Sequence, residues 1–103
     1  MWFGASVLFR AEHLLKQISP ALCEESVILI EAGSLEQATE RAIAIGQDRQ
    51  HGYPVLDGDR VEWIFDSVLG VAEIEAASIE TGVEVFSRFL NADKAEMLRQ
   101  PID

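Results

Sequence analysis

The chain has one cysteine, two histidines and only eight lysines and arginines, and no apolar run approaches the length of a membrane span. Each shortage closes a class of function. Cys23 has no partner for an internal disulfide, which fits a reducing cytoplasm. It stands directly before Glu24 and Glu25, whose charge disfavours a thiolate, so a nucleophilic or redox role is not expected. His13 and His51 lie far apart, and neither belongs to a His-x-x-x-His or Cys-x-x-Cys pattern, so no metal site is expected. No Gly-x-Gly-x-x-Gly follows a strand and no Walker sequence occurs, and no cofactor is expected. Gly33-Ser34 opens a helix and offers free N–H groups to an anion, but Glu31 and Glu36 flank it. Ser67 and Ser87 lack the Gly-x-Ser-x-Gly surroundings of a hydrolase nucleophile. The apolar opening, Met1 to Arg10, has no basic n-region and no Ala-x-Ala-type cleavage site, and reads as a first strand rather than a signal peptide.

Positive charge is the most consequential shortage. Eighteen acidic against eight basic residues give a net charge of −10. A field of that sign repels phosphates and anionic lipid, so neither nucleic acid nor membrane is an expected partner. Trp63 and Phe65 are flanked by Glu62 and Asp66, the wrong sign for stacking on bases. Between Asp57 and Glu84 eight carboxylates face a single arginine, Arg60. Such a stretch is either a solvated face or a docking surface for a basic protein partner.

What is present is a foldable chain. At 103 residues and 49% hydrophobic, it is expected to form one α+β domain over residues 1–103 without disulfide or metal. Its organising stretch is Val27–Ile45. An aliphatic run ends at Gly33, and Ser34 with Gln37 forms a capping box that starts a helix running to about Gln50. Leu35, Ala38, Ala42 and Ile45 share one helical face, and Gly46 is a candidate C-cap. The strand before it, Cys23 to Ala32, is apolar on both faces and is expected in the sheet interior. Residues 2–12 alternate, with Phe3, Ala5, Val7, Phe9 and Ala11 as the core side. Asp57-Gly58 signals a hairpin pairing Tyr53–Leu56 with the next strand, and Pro54 restricts that arm to an edge. Val61, Trp63 and Phe65 alternate in a strand that runs on to a bulge or bend at Gly70 and resumes as Val71 to Ile74. A last strand is expected over Val83–Leu90. A short C-terminal helix follows, capped by Asn91 or Asp93 and stopped by Pro101. The expected architecture is a curled, mainly antiparallel sheet of four to five strands on one long helix, with a short C-terminal helix. One long helix cannot cover both faces, and Trp2, Leu8, Phe86 and Leu90 fall on the uncovered one, so a homodimer is favoured.

Four charges interrupt strands that are otherwise apolar: Arg10, Glu31, Asp66 and Arg88. If the strands are neighbours, these charges pair with one another, or they line a pocket at the sheet rim. In such a pocket Arg10 or Arg88 holds a carboxylate and Glu31 or Asp66 acts as base. With Trp63 they are the candidate binding residues; none is assigned as catalytic. The preferred reading is a non-enzymatic binding or regulatory module, self-associating, with an antidote-like role towards a basic partner as its specific version. The alternative is a small-molecule-binding or enzymatic domain built on the charged set.

Two end motifs carry a resemblance. The opening Trp2-Phe3-Gly4-Ala5-Ser6, the Glu24-Glu25-Ser26-Val27-Ile28-Leu29 strand, the Glu/Ala-rich helix from Ser34 and the closing Glu84-Val85-Phe86-Ser87-Arg88 together resemble a small bacterial domain-of-unknown-function family. Phe86 stands where that pattern has Tyr. The resemblance implies a small cytoplasmic α+β protein and no assigned activity.

Overall fold

The computed structural model describes residues 1–100. Alternation from Trp2 onward does what the pattern requires, and Trp2–His13 forms β1. Phe3, Ala5, Val7, Phe9 and Ala11 on its odd face are all buried. β1 is the centre of the sheet. It pairs antiparallel with β2 (Cys23–Glu31) on one side and with β4 (Arg60–Glu73) on the other; β3 (His51–Pro54) adds the far edge, in the order β2-β1-β4-β3. The result is α+β, a curled four-stranded antiparallel sheet with two helices. Among the described residues no helix is long and apolar enough to cross a membrane.

The long helix, α1 (Leu35–Asp48), starts where expected. Ser34 Oγ accepts from the Gln37 N–H at 3.1 Å, and Gln37 reaches back to the N–H of Gly33 rather than of Ser34. Its buried seam is Ala38, Ala42 and Gly46, small residues one above another. That seam lets the helix lie close against β4, β1 and β2. Leu35, expected in the seam, is exposed, and Gly46 is an interior packing residue rather than the C-cap, which is Arg49. A Cβ at Gly46 would overlap the Phe65 ring, so only glycine admits that approach.

Four further expectations need correction. β2 is an edge strand, not an interior one, and its apolar outer residues Val27 and Leu29 are each 47% exposed. Leu56 lies in a 3₁₀ turn (Leu56–Gly58) rather than in the hairpin arm, which ends at Pro54. Asp57 (φ 72°) and Gly58 (φ 77°) do both adopt the left-handed conformation that the Asp-Gly signal promised. The bulge near Gly70 is at Leu69, and a second falls at Asp66, two places where β4 carries an extra residue opposite β1. The segment Val83–Leu90 forms no strand. It crosses the second face of the sheet, and a Cβ at Gly4 would fall inside the Val85 carbonyl. Phe86 lies over Gly70.

Beyond Leu90 the chain leaves the body. α2 (Ala92–Arg99) is capped by Asn91, whose side chain accepts from the Lys94 N–H at 2.9 Å. It buries no residue, and Phe89 before it is fully exposed. The radius of gyration is 16.2 Å, against about 13 Å for a compact domain of this length. Pro101, expected to stop α2, lies outside the described residues.

Candidate functional site

The rim charges are brought together in part. Ile64 sits beside Arg10 in the β1–β4 ladder, and the bulge at Asp66 places that carboxylate next to the guanidinium. Arg10 donates to Asp66 at 2.9 Å and to Glu12 at 2.8 Å. The Glu12 bond, before any other cause, raises the Arg10 pKa above its ordinary value. A guanidinium already shared by two carboxylates has little left for a ligand. Arg88 reaches the same face from the crossing segment and stands 3.5 Å from Glu25, which also accepts from the Ser6 hydroxyl at 2.5 Å. Glu31 joins neither group. It lies opposite Trp2, eight residues along β2 from the Cys23 that faces Arg10, a distance of about 26 Å. The charges thus form two separate ion-pair groups and one isolated acid.

Trp63 lies elsewhere, on the side of the sheet that carries α1. Its indole N–H donates to the Tyr53 hydroxyl at 3.2 Å. It lines a cleft of about 240 Å³ with Phe9, Glu24, Ser26, Arg49 and His51, beyond the C-terminal end of α1. Four of these residues, Glu24, Ser26, Arg49 and His51, carry no binding motif that joins them in the sequence, since they come from β2, the helix cap and β3. The one available signal was Trp63 itself, a half-buried indole at a position whose neighbours are acidic.

The acidic stretch does not make one surface. Asp57 pairs with Lys16, Glu62 with Arg60 and Asp66 with Arg10. Asp59 is buried and accepts from the N–H groups of Leu15 and Arg60, both at 2.8 Å, with the His13 ring 3.1 Å away. These bonds, that from Leu15 foremost, outweigh desolvation and hold its pKa below the usual carboxylate range. Glu73, Glu75 and Glu84 alone share a hollow, of about 440 Å³. Among the described residues no group of three or more His, Cys, Asp or Glu is placed to hold a metal. Cys23 is a free, exposed thiol.

No curated protein and no solved structure matches the chain. A family model does: residues 2–87 match the domain of unknown function DUF4288, a span that takes in the whole sheet, α1 and the crossing segment as far as Ser87. A match over that much of the chain shows the family, and the chain belongs to DUF4288.

Proposed function

We propose that the protein is a non-enzymatic protein-binding module that works as a homodimer. The observation carrying this reading is the arm formed by Phe89, Leu90 and α2. Phe89 is fully exposed, Met97 is 70% and Leu98 60% exposed, and α2 buries nothing. Eight residues are too few for a stable free helix in water, so α2 needs a surface to lie on. The body offers apolar surface in return, at Val27 and Leu29 on the open edge strand and at Trp2 beside them. Sedimentation equilibrium of the full chain is expected to give a dimer, and Phe89→Ser with Leu98→Ser a folded monomer. A wild-type chain that stays monomeric at high concentration contradicts the proposal.

A second reading, docking of a basic protein in an antidote-like role, is favoured by the Glu73, Glu75 and Glu84 hollow, which no cation lines. The free thiol of Cys23 suits a cytoplasmic setting for either reading.

A further inference from the structure

We propose that the cleft beyond the end of α1 binds a small carboxylate carrying a flat apolar group. Three features of the cleft support this, and they are independent of the arm, which leaves the opposite face of the sheet.

The floor is aromatic and fixed. Phe9 is 6% exposed and packs edge-to-face with Phe65, ring centroids 6.3 Å apart, while Trp63 is held by its bond to Tyr53. An indole beside a buried phenyl offers a flat apolar seat to a ring.

The lining carries a guanidinium that no carboxylate pairs with among the described residues. Arg10, Arg60, Arg88 and Arg99 each pair with a carboxylate, and Arg41 donates to the Glu31 carbonyl. Among the described residues the Arg49 side chain has no such partner. In a chain with eighteen acidic residues, that leaves Arg49 as the arginine whose planar fork is free to take a carboxylate bidentately.

The wall is rigid, so the groups converge before any ligand arrives. Gly46 seats the last turn of α1 on the Phe65 ring, and the Gln50 side chain accepts from the Phe65 N–H at 3.0 Å. His51 faces Trp63 in the β3–β4 ladder, with Nδ1 3.0 Å from the Arg49 carbonyl and its ring stacked on Tyr53. A carbonyl only accepts, so Nδ1 carries the proton and donates. The backbone that carries these groups therefore needs little ordering when a ligand enters.

Size and sign narrow the class. A volume of about 240 Å³ equals roughly that of eight liquid waters, room for one ring and one acid group. Glu24 at the rim repels a second negative charge, which selects a monocarboxylate over a phosphate or a dianion.

The test uses phenylacetate, titrated into the isotope-labelled full chain at constant ionic strength and followed by NMR. Saturable shifts are expected at the Trp63 indole N–H and at residues 49–51, with a dissociation constant of about 1 mM, as suits so small a ligand. Arg49→Met should weaken binding at least about tenfold, the worth of a charge-assisted bidentate contact. Glu24→Gln should leave it equal or tighter. Phenethylamine, the same ring with a cation, should not saturate the site. Absence of saturable shifts in the wild type, equal binding by Arg49→Met, equal binding of the amine, or binding that appears only in Glu24→Gln would each overturn the proposal. Arg49 is exposed, so its replacement is expected to leave the fold intact, which unshifted amides of β1 will verify.

Discussion

Asp59 is the one buried acidic residue among the described residues, at 2% exposure, and its two oxygens join separate stretches of chain. Oδ1 accepts from Leu15 and Arg60, and Oδ2 meets His13, so the carboxylate ties the loop after β1 to the start of β4. A pKa held below the ordinary value of about 3.9 means that the unfolded chain takes up the proton first as pH falls. The stabilisation is therefore complete at neutral pH and is lost as pH drops through the folded-state pKa. Asp59→Asn keeps an acceptor for the two N–H groups but loses the charge. Asp59→Ala strands both donors and should cost more. Urea midpoints are expected to fall in the order wild type, Asn, Ala at pH 7, and the wild type–Asn gap should narrow as pH falls below about 4. A gap unchanged by acid would mean that the charge contributes nothing.

The crossing segment after Glu80 is the element that completes the sheet's second face. Gly82, at φ 91°, turns the chain onto that face, and Gly4 and Gly70 leave the shallow track in which Val85 and Phe86 lie. In Gly4→Ala the new methyl meets a backbone carbonyl, which cannot rotate away as a side chain can. The segment must lift, at a cost of about 1–3 kcal/mol and a melting temperature lower by several degrees. Chymotryptic cleavage at Phe86 is expected to accelerate several-fold while the far-ultraviolet circular dichroism of the body stays unchanged; equal cleavage rates would place the segment elsewhere. This element also shows where sequence reading stops. Its alternation was visible, but period two reports two unlike faces and not a hydrogen-bonded neighbour. The same limit misplaced β2. Val27 to Ile30 are apolar on both faces, which fits an interior strand or an edge strand with an open face, and side-chain pattern alone does not distinguish them. Local chemistry fared better: the Ser34 cap, the β1 core face and the left-handed Asp57-Gly58 pair are each decided within a few residues. At the candidate sites, Arg10 and Asp66 were recognisable as strand interruptions, and a bulge brings them together. Glu24, Ser26, Arg49 and His51 converge only through pairing across β1 and β4, and no local signal announces that.

At the scale of the whole molecule, charge and shape pull in opposite directions. Two copies each carrying −10 repel, whereas an arm with Phe89 fully exposed and a radius of gyration of 16.2 Å call for burial against another surface. Which force sets the association is decided by salt. Raising ionic strength from about 0.05 to 0.5 M shortens the Debye length to a few ångströms and removes most of the repulsion between exposed charges. It leaves the apolar contact of Phe89, Met97 and Leu98 untouched or slightly strengthened. An arm-mediated dimer should therefore tighten with salt, its dissociation constant falling several-fold in sedimentation equilibrium. An assembly held by the Glu73, Glu75 and Glu84 hollow on a basic segment would do the reverse, because salt screens the attraction that forms it. Tightening also predicts a melting temperature that rises with protein concentration, more steeply at high salt than at low, since only the folded chain presents a docked arm. Weakening by salt would assign the association to the carboxylates and leave α2 without its partner.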